Sequence, residues 1–454
     1  MTKSTADILQ IYQKLEIEFA KLIPSVRFSP AINMKLERMI DLMDILDNPQ
    51  DKFKSIHVGG TSGKGSTAMF IASILTKQGY KTGLHLSPHL QIVNERYQIN
   101  CQPVATSLIV DIFERVKLAT LQVARMNKFG QPSYFEVQVA VAFCLFEAQQ
   151  VDAAIIEVGL GGRLDATNVL NSDIAVLTSV GLDHTEILGD TVEKICQEKA
   201  GIIKHGKNVV CGFTQTTTQE IVAQKCLEQN SSLWQLGKDF AVSFIANSLT
   251  VSLPDKTYAN LSLKMLGKFQ AANAACAIAA AYKFTDGTIS ENAVKEGLAT
   301  AFIPGRMEIL QTNPVVILDG AHNPDKMKSA AEAVTDLFGD KDKIIVFSLK
   351  DGKVARAILP YLISQAKLII ITAFEIKSLW EPYSPEELAK LIKEIDAGVL
   401  CSIELNPISA IKYALSIAES NDLIWVTGSL YLAGDIREYW YPSAELIIAA
   451  EARI

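Results

Sequence analysis

The densest chemistry in the chain lies in Ile56-His57-Val58-Gly59-Gly60-Thr61-Ser62-Gly63-Lys64-Gly65-Ser66-Thr67. These residues read as a short apolar strand, a glycine-rich turn with one lysine, and a hydroxyl residue opening a helix. That order builds a phosphate cradle. Glycines let backbone N–H groups approach phosphate oxygens, the helix N-terminus adds positive potential, Lys64 adds a point charge, and Ser66 offers a hydroxyl to Mg2+. The spacing departs from that of the usual nucleotide hydrolases, which needs glycine where Val58 stands and Ser or Thr where Gly65 stands.

Four further polar clusters follow predicted strands, where open α/β sheets place their ligands. They are Ser87-Pro88-His89, Glu157 with Gly159-Leu160-Gly161-Gly162-Arg163-Leu164-Asp165, Asp183-His184-Thr185, and Asp319-Gly320-Ala321-His322-Asn323-Pro324. A carboxylate inside an apolar run is costly unless it is paired or metal-bound. Glu157 is therefore a candidate Mg2+ ligand, or else a carboxylate paired with Arg163 or capping a helix. His57 and His85 sit in apolar runs and are expected as satisfied core histidines. His184 and His322, in loops among Asp and Asn, are functional candidates, and His205 is expected at the surface. By composition alone, Glu198-Lys199 reads as a solvated charge pair on a helix.

These clusters need a scaffold. A helix is expected from about Ser66 to Lys77, a strand over 81–86, a long apolar helix over 135–149, and buried strands over 153–158 and 174–178. Strands alternating with helices imply a doubly wound, mostly parallel sheet. Residues 240–265 read as a small antiparallel insertion, and Gln270 to Ala281 as a closely packed alanine-rich helix. A second βα series follows Pro304-Gly305-Arg306, with strands expected near 315–320, 343–348, 367–372 and 423–427. The expected organisation is α/β: a P-loop-type domain over 1–303 and a smaller Rossmann-like domain over 304–454.

Bulk properties narrow the function. A chain of 454 residues has room for about two to three domains. A net charge of -7 argues against a general nucleic-acid binder. No apolar run approaches the roughly 18 residues of a membrane span, and the N-terminus leads into an amphipathic helix pattern and not a signal core. Seven cysteines without a C-x-x-C pair fit a reducing compartment, with the cytoplasm as the expected location.

Beyond the loop, an ordered set of segments carries a resemblance. It comprises Gly60-Thr61-Ser62-Gly63-Lys64-Gly65-Ser66, Ser87-Pro88-His89-Leu90, Asn94-Glu95-Arg96, Ser133-Tyr134-Phe135-Glu136, Glu157 through Asn168, Asp183-His184, Glu198 through Lys204, Pro304-Gly305-Arg306 and Asp319 through Pro324. From about residue 20 to about residue 440 the chain resembles the folylpolyglutamate synthase/dihydrofolate synthase family of the Mur ligase group. The glycine after the cradle lysine belongs to that group's own loop, and Ser62 stands where the family usually has asparagine.

The resemblance implies an ATP-dependent amide ligase. A carboxylate attacks the γ-phosphate of ATP, and the amine of L-glutamate then displaces phosphate from the acyl phosphate. Gly60 through Ser66, Asn273, Arg306 and Asp319 would hold the nucleotide, with Lys64 on the β/γ-phosphates. Ser66, Ser87 and Glu157 would hold one Mg2+. His184 would hold a second together with Lys199, which matches the family's carbamylated lysine. Ser133, Tyr134, Phe135, Glu136, Leu164, Asp165 and Ala166 would meet the pterin acceptor, and Phe28-Ser29-Pro30-Ala31 would form an acceptor loop. His322 and Ser429 would reach the shared site from the second domain, His322 orienting the incoming glutamate. A monovalent cation is compatible with the family. The expected partners are small molecules only, with neither nucleic acid nor membrane, and the chain is expected as a monomer. The alternative is a Mur-type ligase with another carboxylate acceptor. The cell-wall members usually carry an extra N-terminal domain, for which the roughly 60 residues before the cradle leave no room. A non-catalytic nucleotide switch would not need the Lys64, Glu157, His184 and Lys199 constellation.

Overall fold

The computed structural model describes residues 4–22, 35–126, 128–245, 248–339, 341–375 and 381–453. The expected acceptor loop Phe28–Ala31 lies outside them. The described chain divides into two compact units, one of residues 1–264, 270–302 and 447–454, the other of 265–269 and 303–446.

The first unit is built on eight strands: β1 (Lys54–Gly59), β2 (Thr82–His85), β3 (Tyr97–Ile99), β4 (Gln102–Pro103), β5 (Ala153–Glu157), β6 (Ile174–Leu177), β7 (Asn208–Cys211) and β8 (Ser232–Gln235). Their order is β4-β3-β2-β5-β1-β6-β7-β8. Only β3 runs against the others, pairing antiparallel with β2 and with the edge strand β4. The central strands are buried along almost their whole length, as the unbroken apolar runs require of a sheet covered on both faces. β1 lies between β5 and β6, so the loop leaving it opens where the strand order departs from the chain order, the usual ligand crevice of such sheets. The register sets the next contacts: Val58 pairs with Glu157, Gly59 with Leu177, and His85 with Ile156.

The helix expected from Ser66 spans Lys64–Lys77, and the apolar helix spans Tyr134–Ala148, opened by a reciprocal Ser133–Glu136 capping box. The insertion forms a three-stranded antiparallel sheet of β9 (Ala241–Ile245), β10 (Ser248–Ser252) and β11 (Thr257–Leu261). The alanine-rich helix runs from Gln270 to Phe284. Its small side chains let it pack closely on the helix Lys64–Lys77.

The second unit has six strands, β12 (Glu308–Thr312), β13 (Val315–Leu318), β14 (Lys343–Phe347), β15 (Ala366–Ile371), β16 (Cys401–Ile403) and β17 (Leu423–Thr427), in the order β12-β13-β17-β14-β15-β16. The strand at 315 is not the first of this sheet. β12 precedes it and pairs antiparallel with it through a bulge; it buries Glu308 and exposes Ile309, so its residue types do not show the apolar alternation that would have marked it in the sequence. His57 and His85 are buried and His205 is exposed, as expected; Cys144, Cys211 and Cys276 are buried too.

Candidate active site

The cradle is set by backbone geometry. Gly63, at φ +80°, caps the helix Lys64–Lys77 without any side-chain hydrogen bond, so the first amides of the helix point into the loop. A Cβ on Gly63 would stand 2.2 Å from Asn273 Oδ1. Asn273 thereby meets the cradle, and it donates to Gln270 Oε1 (2.9 Å), while Gln270 donates to Ser66 Oγ (3.3 Å). Gln270 was not singled out from the sequence. The signal was present: two amide side chains three residues apart, on one face of an otherwise alanine helix.

Thr178 and Ser179, just past β6, also escaped the sequence reading. The Thr178 and Ser179 hydroxyls both donate to the Ser62 carbonyl (2.6 and 2.9 Å), and the Ser62 amide donates to Ser179 Oγ (2.9 Å). The Thr61 amide donates to the Ser179 carbonyl (2.8 Å). At Ser62 the fold thus grips the main chain, which accounts for a position where residue type is free to differ from the family's asparagine.

Two lysines converge on one atom. Lys64 Nζ donates to the Gly60 carbonyl at 3.2 Å, and Lys199 Nζ donates to the same oxygen at 3.0 Å. Lys199 is 3% exposed, so it is no member of a solvated pair. Glu198 instead bonds Arg163 (2.8 Å), on the other side of its helix. Arg163 is therefore engaged by Glu198, and Glu157 takes a different neighbour: its Oε2 accepts the Ser87 amide at 2.8 Å. Glu157 Oε1 lies 3.4 Å from where a Cβ on Gly65 would be, next to Ser66. Among the described residues no three His, Cys, Asp or Glu side chains are grouped to hold a metal. One carboxylate with hydroxyls beside a phosphate cradle suits Mg2+, which takes few protein ligands and completes its shell with water and phosphate oxygens. His184 sits in left-handed backbone (φ 52°) at the head of the short helix Thr185–Leu188, 3.9 Å from Asp183 and 3.7 Å from Glu186.

A second group surrounds Gly159. The Phe135 ring passes so close to Gly159 that a Cβ there would be 2.4 Å from it, and Asp165 Oδ2 would be 3.1 Å from the same point. Asp165 accepts from the Leu160 and Thr167 amides (2.8 and 3.0 Å) and from the Thr167 hydroxyl. Burial raises its pKa against these bonds. Thr167 Oγ1 in turn meets His57 Nε2 at 2.8 Å, and Ala166 lies between these two partners in the chain. Ser133 and Glu136 are bound to each other in the capping box. Glu136 also takes a bidentate, buried grip from Arg38, whose Nε meets Oε1 (3.0 Å) and whose Nη2 meets Oε2 (2.9 Å). Arg96 stacks over Tyr134, 5.7 Å from its centroid, and donates to His89 Nδ1 (2.8 Å). Leu164 is half-buried beside this group.

In the second unit, Asp319 follows β13 and accepts the Met307 and Ala321 amides (3.1 and 2.8 Å). Burial pushes its carboxyl upward, opposed first by the charge of Arg306. Arg306 Nη1 lies 3.6 Å from where a Cβ on Gly320 would be. The Arg306 loop is held by Glu308, which accepts the Gly305 amide (2.8 Å) and forms a buried ion pair with Arg437, whose Nε–H is shared between its two oxygens (3.1 and 3.0 Å). His322 Nδ1 bonds the Gly320 carbonyl at 2.8 Å. Ser429 is buried and accepts the Tyr431 amide (3.1 Å) as a helix cap.

A phosphate cradle with an inserted glycine, on a sheet followed by a second α/β unit, defines a Mur-type ligase. The sequence matches the Mur ligase middle domain over residues 58–281 and the Mur ligase glutamate ligase domain over 305–430. It is 35% identical over 413 residues to the dihydrofolate synthase/folylpolyglutamate synthase of Bacillus subtilis (strain 168), covering 89% of this chain and 94% of that one. It is 32% identical to the folylpolyglutamate synthase of Lacticaseibacillus casei, covering 88% and 93%. The fold superposes on Mycobacterium tuberculosis folylpolyglutamate synthase complexed with ADP and AMPPCP (TM-score 0.86, 28% identity, 96% and 99% covered). It also superposes on E. coli FolC in complex with DHPP and ADP (TM-score 0.81, 28% identity, 94% and 97% covered). The chain belongs to the folylpolyglutamate synthase/dihydrofolate synthase family and is an ATP-dependent ligase acting on small molecules. No described helix is long and apolar enough to cross a membrane.

Proposed function

We propose that this enzyme joins L-glutamate to the carboxylate of a pterin acceptor, dihydropteroate, a reduced folate or both, through an acyl phosphate, with release of ADP and phosphate. The observation that carries it is the pair of lysines on the Gly60 carbonyl, at the mouth of a cradle that also presents Ser66 and Glu157. Binding a nucleotide needs one cation, Lys64; a second, buried lysine at the same point is a group that can be turned into a metal ligand. Passing a γ-phosphate to a carboxylate gathers more negative charge, and needs more groups to meet it.

In this reading the loop amides and Lys64 hold the β- and γ-phosphates, and Asn273 steadies the nucleotide from its helix. Ser66, Ser87 and Glu157 would hold one Mg2+ and His184 with Lys199 a second; bound there, the ions would neutralise the phosphoryl oxygens. Two ammonium groups sharing one carbonyl repel each other, so conversion of Lys199 to an anionic carbamate relieves that strain and creates an oxygen ligand. Intact-mass measurement of active, nucleotide-bound protein checks this: a bare Lys199 counts against it. Phe135 and Tyr134 offer flat faces to the pterin ring, and Asp165 a carboxyl beside it. Glu136 and Ser133 act through position, since the capping box and Arg38 engage them. Arg306 and Asp319 serve the nucleotide, and His322 and Ser429 the glutamate. We take the chain as a cytoplasmic monomer; its seven cysteines are unpaired.

The test is an acceptor panel. With ATP, Mg2+ and glutamate, ADP release should depend on dihydropteroate or tetrahydrofolate. Release with a muramyl precursor alone, or with neither pterin, defeats the proposal.

A further inference from the structure

The helix Thr5–Ala20 precedes every motif read from the sequence, and the ligase reading gives it no task. Ile8, Tyr12, Leu15 and Phe19 are its buried residues, spaced as one helical stripe requires. Two of them do more than pack. The Tyr12 hydroxyl accepts the Val93 amide at 3.0 Å, inside the protein, and gives its own hydrogen to Glu16, one turn on. Val93 opens the short 3-10 turn Val93–Arg96, so Tyr12 holds the turn that presents Arg96. Two turns further along the helix, Phe19 packs on Phe113 (4.7 Å between centroids) and meets the Tyr134 ring edge-on (6.1 Å, 78°). Arg96 lies over that same Tyr134 ring at 5.7 Å. The contacts close on themselves: Tyr12 to the turn, the turn through Arg96 to Tyr134, and Tyr134 through Phe19 back to the helix.

A helix is stiff over two turns, roughly 10 Å, and one stiff element touching two places fixes the distance between them. We infer that Tyr12 and Phe19 are positioning residues for the acceptor: the helix Thr5–Ala20 braces Tyr134 and the turn beside it at one spacing, so that the ring offered to the pterin is held before the pterin arrives. This rests on the acceptor reading above and extends it to a helix outside all of its motifs. The physical effect is preorganisation. Without the brace, Tyr134 and the turn sample other arrangements, and the apparent affinity falls with the share of time spent in the competent one. The cradle, on β1 and the helix Lys64–Lys77, takes no part in this ring of contacts, so nucleotide binding should not respond.

The experiment measures equilibrium binding of dihydropteroate and of tetrahydrofolate, with AMPPCP and Mg2+ present, to wild type, Tyr12→Phe and Phe19→Leu. Tyr12→Phe removes one hydroxyl from a buried hydrogen bond, which corresponds to a factor of about two to ten. The acceptor Kd should rise by about that factor in Tyr12→Phe. It should rise at least about twofold in Phe19→Leu, which keeps an apolar side chain but loses the ring edge. The Kd for AMPPCP should stay within about twofold in both variants, and in turnover the change should fall on the acceptor KM and not on kcat. A helix that only adds stability would lower the thermal midpoint and leave the acceptor Kd where it was. That result overturns the proposal, as does an equal loss of acceptor and AMPPCP affinity. If wild type binds a pterin and Tyr12→Phe binds it equally well, the proposal fails alone. If wild type binds neither pterin, the acceptor reading fails and takes the proposal with it.

Discussion

His57 ties the stability of the first unit to pH. It is fully buried in β1, with Nε2 on Thr167 Oγ1, and burial lowers its pKa from 6.5 to about 3, helped by the charge of Lys204. The unfolded chain takes up a proton on this ring near pH 6.5, while the native state refuses it until about pH 3. Between those values the unfolded state binds one more proton, so stability falls as pH falls, by about 1.4 kcal/mol per pH unit. From pH 7 to pH 5 the loss attributable to His57 is about 2 kcal/mol. His57→Gln keeps an N–H donor near the position of Nε2 and does not titrate. Urea unfolding of both proteins at pH 7, 6 and 5 isolates the effect, because every other titrating group is common to both. The wild-type free energy should drop relative to that of the variant by about 2 kcal/mol across the range. Parallel curves would refute the reasoning and would mean that His57 protonates in the folded protein. Since Thr167 links His57 to Asp165, acceptor affinity in the wild type should stay flat down to pH 5 wherever the protein remains folded.

Three other perturbations address the site. Gly63→Ala must hold a left-handed backbone at a cost of about 1–2 kcal/mol and pushes Asn273 from the cradle; KM for ATP should rise about tenfold with a thermal midpoint lowered by only a few degrees, and an unchanged KM would count against the contact. Glu308→Gln removes the carboxylate from a buried ion pair with Arg437, so denaturant unfolding should show a loss of about 3 kcal/mol or more, and turnover should fall because the Arg306 loop loses its charged anchor; a loss below about 1 kcal/mol would mean the pair contributes little. Ser62→Asn should leave steady-state ADP release within about twofold, since Thr178 and Ser179 hold only the main chain there; a tenfold change would assign a role to the side chain.

What the sequence determined by itself was whatever depends on local order. The strand–glycine turn–helix at 56–67, the apolar strands and the capped helices are written in residue types and spacing, and each forms where its own residues require. Glu157 was legible as a cost, a carboxylate in an apolar strand, before its surroundings were known. Lys199 was not. Its neighbour in sequence is Glu198, and only the helix, which sends adjacent side chains to different faces, gave Glu198 to Arg163 and carried Lys199 to Gly60. Thr178, Ser179 and Gln270 became part of the cradle only through the pairing of β6 with β1 and the packing of one helix on another. The Glu308–Arg437 pair spans 129 residues and leaves no pattern in either segment. Sequence order sets periodicity and caps because those interactions reach a few residues; which polar groups meet at a buried point is decided by sheet register and helix packing, where distant segments first come within hydrogen-bonding range.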